Sequence, residues 1–194
     1  MPRWPISDQK ARDMYVGARA NPAAVWYAHL WAAVFGLGLF PRRWVTLEVP
    51  GRRTGKMMRV PLGMADVGGQ WYLVSMLGEH CNWVQNARAA HGRVTLHRRR
   101  RMQCVLVDVP IDDRGPILRR YVQKVPGGRP HIPVPVSAPV SEFEDVASQY
   151  PVFAVHRDTP AGDVALQVRL VTPWMVGTGI LLVTLVLVRR VRML

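Results

Sequence analysis

Between Trp44 and Gly63 the chain reads WVTLEVPGRRTGKMMRVPLG, and the centre of that stretch has the chemistry of an anion site. Arg52, Arg53 and Lys56 supply three cations around Thr54. Arginine offers a planar fork that matches phosphate or carboxylate, and lysine a mobile point charge. Gly51 and Gly55 permit positive φ and would turn backbone N–H groups toward an anion. The pattern is not a P-loop: the spacing is one residue short, and Met57 stands where a hydroxyl would bind magnesium. A strand also follows it where a P-loop has a helix. The competing reading is a solvated cationic turn with no ligand.

The flanking residues must position this turn. Val45 to Val49 alternate apolar and polar as a half-buried strand does, and Met57 to Leu62 reads as the returning strand. Pro61 falls near its end, where a missing N–H is tolerated. Gly68-Gly69 turns the chain into a further strand, Gln70 to Met76. Gly78 to His91 has helical spacing through Trp83, Val84, Ala87 and Ala90. Arg93 to His97 and Met102 to Val109 form another strand pair, joined by the arginine run Arg98 to Arg101. Asp112 to Lys124 is a helix candidate, and a proline-rich loop runs on to Pro139. Ser141 and Glu144 are spaced as a capping box, and Pro151 to Val155 forms the last strand. Strand pairs with peripheral helices predict an α+β fold built on a small antiparallel barrel.

The ends differ from this middle. Met1 to Ala20 reads as a basic, loosely helical arm, after which Asn21 caps an apolar helix, Ala23 to Phe40, with Pro22 at its first position. Apolar all round, that helix should pack outside the barrel and touch a membrane surface. Leu170 to Val188 holds nineteen residues without a charge, followed by Arg189, Arg190 and Arg192. As a helix it would reach roughly 28 Å, close to the bilayer core. The expected organisation is therefore 1–42 arm and apolar helix, 43–157 barrel, and 158–194 linker and membrane-associated tail.

A net charge of +13 with 23 arginines and 3 lysines points to anionic partners: phosphorylated ligands, lipid headgroups or nucleic acid. No helix-turn-helix, zinc or RNA-recognition signature accompanies that charge, so nucleic acid is not the expected partner. Cys81 and Cys104 lack metal or redox spacing and read as reduced thiols, and no metal is expected. Tyr121 and Tyr150 are candidate proton donors, and His80 and His131 can tune protonation near neutral pH. No Ser-His-Asp arrangement is convincing, which disfavours nucleophilic catalysis.

In order along the chain, GRRTGK with RVPL, LVS followed by NWVQNARAA, and RPHIP with YPVF resemble the deazaflavin-dependent nitroreductase/quinone reductase family over about Trp44 to Val155. The resemblance implies a split β-barrel akin to flavin-binding reductases. It also implies a reduced deazaflavin coenzyme, F420, with FMN the alternative, and a quinone or nitro-type hydride acceptor. Such a coenzyme carries the hydride itself, so the protein supplies orientation and electrostatics. On this basis Arg52, Arg53, Thr54, Gly55, Lys56 and Arg59 would grip its phosphate and acidic tail. Pro61 and Leu62 would lie under the ring, and Ser75 would bond its edge or, with Tyr121 or Tyr150, assist protonation. Trp83 and Asn86 would present one flat and one polar contact from the same helix face. The chain departs from the family pattern at Met58 and Met76, which loosens the grip on the coenzyme, and at Gly63, which opens the substrate side.

The expected protein is thus an oxidoreductase at the cytoplasmic face of the cell membrane. It would be held by 170–188, with a homodimer as a candidate assembly. The alternatives are a catalytically silent membrane-associated barrel subunit and a basic nucleic-acid-binding protein.

Overall fold

The computed structural model describes residues 15–16, 19–20, 22–38 and 40–158. The chain divides into two units, Met1–Asp158 and Thr159–Leu194, and the described residues belong to the first. The Asn21 cap and the apolar segment Leu170 to Val188 lie outside the described residues. Among the described residues no helix is long and apolar enough to cross a membrane.

Tyr15–Val16 (β1) and Arg19–Ala20 (β2) pair as a short antiparallel hairpin where a loose helix was expected. Tyr and Val both favour extended backbone. Pro22–Gly36 (α1) starts at its proline as expected but stops short of Phe40, with Gly38 in the left-handed region at φ +69°.

Six strands make the barrel: Trp44–Pro50 (β3), Met57–Val67 (β4), Gln70–Val74 (β5), Arg93–Arg98 (β6), Arg100–Asp108 (β7) and Val152–Arg157 (β8). All neighbours are antiparallel, and the order β3-β4-β5-β8-β7-β6 closes on itself. Closure leaves no strand edge exposed. The arginine run is part of this ladder. Only Arg99 occupies the turn, at φ +59°, while Arg98 and Arg100 pair directly.

Strand alternation sorts the side chains into an inner and an outer set. Val45, Leu47 and Val49 point inward with Met64, Leu73, Leu96, Leu106 and Phe153. The helix Asn82–Ala89 (α2) adds Trp83, Val84 and Ala87 to that interior. The outward Ala65, Val74 and Val152 pack instead on Arg114–Lys124 (α3) and Val140–Asp145 (α4), through Leu118, Val122 and Phe143. Ser141 lies inside α4 rather than capping it, because extended Pro139 precedes the first turn. Outward Thr46 sits under α1, where its Oγ1 donates to the Ala32 carbonyl at 2.5 Å. Phe35 stacks near Trp44, ring centroids 5.0 Å apart. The apolar helix therefore packs outside the barrel, as its composition predicts.

Candidate active site

The β3–β4 turn closes on itself before it can meet a ligand. Gly51 N donates to Lys56 O at 2.9 Å, while Thr54 N and Gly55 N both donate to Gly51 O, at 3.2 and 2.7 Å. Lys56 N reaches Thr54 Oγ1 at 3.4 Å. Of the two glycines only Gly55 has positive φ, +68°. Gly51 sits in a tight place, since a Cβ there would stand 3.2 Å from Lys56 O and the turn would have to give slightly. The turn spends these N–H groups internally, so these four are not left for the expected backbone nest.

Helix α2 fixes the turn's direction. Asn86, 4% exposed, accepts through Oδ1 from Arg52 N at 3.1 Å and from Arg52 Nη1 at 2.9 Å. Arg52 is thereby a clamp between turn and helix. Arg59 is also engaged: its Nε lies 3.2 Å from Glu48 Oε1. Glu48, 6% exposed on the outer face of β3, also meets Arg101 Nε at 3.0 Å and His97 Nδ1 at 3.7 Å. Arg53 and Lys56 make no hydrogen bond or ion pair through their side chains among the described residues.

Arg52, Arg53, Thr54, Lys56 and Arg59 line a cavity of about 750 Å3, joined by His29 of α1 and by Asn82 and Asn86 of α2. Met57 and Met58 supply its apolar wall, and among the described residues no carboxylate lines it. Among the described residues Arg53 and Lys56 have no side-chain partner, and such a pair has the charge to attract an anion.

The sequence profile of the F420H2-dependent quinone reductase family matches residues 33–134. The chain belongs to this family. No curated protein sequence matches it. Similar solved structures include an F420-H2 dependent reductase, FDR-A, at 21% identity over 59% of this chain and 95% of that one, with a TM-score of 0.42. An F420 reductase aligns at 12% identity over 66% of this chain and 94% of that one, TM-score 0.39. A putative 5-nitroimidazole antibiotic resistance protein from Bacteroides thetaiotaomicron aligns at 9% identity over 68% and 80%, TM-score 0.43.

As a family member the protein is a deazaflavin-dependent oxidoreductase whose coenzyme is reduced F420. The cavity fits the anionic end of that coenzyme in charge, with Arg53 and Lys56 on its lining and without a side-chain partner among the described residues. Other expected site residues are placed differently. Trp83 is 4% exposed and stands edge-on to Phe153 inside the barrel, centroids 5.5 Å apart, so it offers no face to a ligand. It shares α2 with Asn86, but Asn86 lines the cavity and Trp83 does not. Pro61 pairs with outward Thr46 and Leu62 with inward Val45, so the two point to opposite faces and cannot both lie under one ring.

Ser75, 1% exposed, donates its hydroxyl to Gly78 O at 2.7 Å. Tyr150 Oη donates to His131 O at 2.9 Å, and burial pushes its phenol pKa up. Tyr121 Oη lies 3.9 Å from Met76 Sδ in the same outer core as Tyr150. None of these three hydroxyls lines the cavity. Gly63 opens nothing: a Cβ there would stand 2.6 Å from Val125 Cγ1 and 3.2 Å from Trp44.

The sequence left His29, Asn82 and Glu48 unmarked as parts of this region. Helical spacing alone does not say which face of α1 meets the turn. The polar alternation of β3 equally suits a solvated Glu48. A usable signal was the cross-strand pairing of Glu48 with Arg59, which follows from the hairpin register.

Proposed function

We propose that the protein passes a hydride from reduced F420 to a quinone or nitro-type acceptor at the cytoplasmic face of the membrane. The observation that carries this reading is that Arg53 and Lys56 share the cavity at the β3–β4 turn, where neither has a side-chain partner and no carboxylate joins the lining among the described residues. There Arg53 and Lys56 bind the phosphate and acidic tail, Thr54 and Gly55 shape the turn, and Arg52 is held toward the cavity by Asn86. The bound coenzyme supplies the hydride. The protein's part is to bind and orient, and Met57 and Met58 offer an apolar wall to flat ring systems.

Charge-assisted hydrogen bonds contribute roughly 1.5–3 kcal/mol each. Replacing Arg53 and Lys56 together with alanine should therefore weaken coenzyme binding at least tenfold in low salt. Spectroscopic titration reads this directly. Unchanged affinity would move the ligand's tail elsewhere, and no binding by the parent protein would end the reading.

Membrane placement is proposed from Leu170 to Val188 and the arginines beyond it, a tail suited to lying in the inner leaflet near anionic headgroups. Lipid-soluble quinones would then be within reach. Truncation after Gly162 should lower the share of the protein found with the membrane fraction of cells. Full-length protein found wholly soluble would refute the anchor.

A further inference from the structure

Helix α1 is apolar on two faces, and the barrel covers only one. Ala32 and Phe35 are buried, whereas Trp26 is 68% exposed, Leu30 46% and Leu37 64%. Spacings of four and seven residues, with exposed Ala33 between Leu30 and Leu37, place these side chains on a single stripe. Scattered surface leucines need no explanation, but a continuous stripe led by a tryptophan does.

Charge identifies what covers it. No aspartate or glutamate occurs between Asp13 and Glu48, and Glu48 is buried in its ion pairs. Arg42, Arg99 and Arg100 are exposed. Arg99 is tied to the helix end, its N–H donating to Gly36 O at 2.7 Å. Along the flank, His29 lines the cavity that Arg53 and Lys56 share. At 15 residues α1 is about 22 Å long, too short to span a bilayer but suited to lying in its interface. Tryptophan prefers that depth, and arginine reaches headgroup phosphates from it. Three large side chains fall short of the roughly 800 Å2 per partner of a standard protein interface, which favours lipid over a second copy.

We infer that α1 is a second, monotopic membrane contact, seating Trp26, Leu30 and Leu37 in an anionic lipid surface. The cavity beside His29 then opens at the level where a lipid-soluble acceptor resides. This last step rests on the quinone-reductase reading, and the lipid contact does not.

Full-length protein is mixed with vesicles of phosphatidylcholine alone or with phosphatidylglycerol, and sedimented without coenzyme or acceptor. The parent should bind the anionic vesicles more tightly than the neutral ones, and salt should narrow that difference. The triple variant Trp26→Ser, Leu30→Gln, Leu37→Gln should bind at least about tenfold more weakly with its melting temperature kept. It should keep its rate with a water-soluble short-chain quinone and lose rate with a long-chain quinone embedded in vesicles. The double variant Arg42→Gln, Arg99→Gln should lose the preference for anionic lipid. Equal vesicle binding by the triple variant and the parent would overturn the inference, leaving the tail as the contact. So would a parent dimer that the triple variant abolishes while vesicle binding is unchanged. Because sedimentation needs no turnover, a protein inactive with every quinone would sink the enzymatic reading alone.

Discussion

Two side chains three positions apart on α2 show how finely roles divide. Asn86 turns to the cavity and holds Arg52, while Trp83 turns into the barrel against Phe153. Trp83 is therefore a core residue, and its loss should be felt in stability first. Trp83→Ala removes a fully packed indole and should cost about 3–5 kcal/mol. Chemical denaturation would check this, and a cost below about 1 kcal/mol would contradict the burial. The same division applies among the cations. Arg52 and Arg59 hold structure, and Arg53 and Lys56 line the cavity without a side-chain partner among the described residues.

At the scale of elements, the barrel's outer face is shared between two covers. Helix α1 lies over Thr46, and α3 and α4 over Ala65, Val74 and Val152. Gly63 marks a close approach between β4 and the chain after α3, where Val125 leaves no room for a Cβ. Gly63→Ala should overpack this contact and destabilise by about 1–3 kcal/mol, lowering the melting temperature without altering coenzyme affinity. An unchanged melting temperature would mean that the end of α3 yields freely. Across the same region Arg120 Nη2 meets Asp66 Oδ2 at 2.9 Å, and its guanidinium holds the Asp66 carboxyl below its ordinary pKa.

For the molecule as a whole, burial pushes up the pKa of Cys81, Cys104 and Tyr150. Each acid is more easily ionised unfolded than folded. The stabilisation is complete below the unfolded values, about 8.5 for Cys and 10 for Tyr, and is lost as pH rises toward the folded ones. Thermal stability should accordingly be flat near neutrality and decline from about pH 9 upward. Replacing both cysteines with alanine should make that decline shallower. Melting curves between neutral and alkaline pH test this, and a decline identical in the variant would exclude the thiols as its source. The exposed stripe on α1 belongs to this scale too, since it takes its meaning from a surface outside the protein.

Alternation along Val45 to Val49, the glycine-bounded turn and the Gly68-Gly69 turn were enough to predict antiparallel strand pairs, because strand period and turn chemistry are local. The cationic turn and the order of motifs after it pointed to the family for the same reason: both are written in consecutive residues. Which strands close the ring, which face α1 covers and which residues of α2 reach the core depend on contacts between distant residues. Periodicity says that Thr46 and Glu48 share a face, but only the packing of α1 and the approach of Arg59 and Arg101 make that face buried and charged. Likewise one helical turn separates Trp83 from Asn86, yet Trp83 packs in the core and Asn86 lines the cavity. Local spacing fixes neighbours on one element. Tertiary structure decides what each neighbour faces, because burial is set by the elements that pack from elsewhere in the chain.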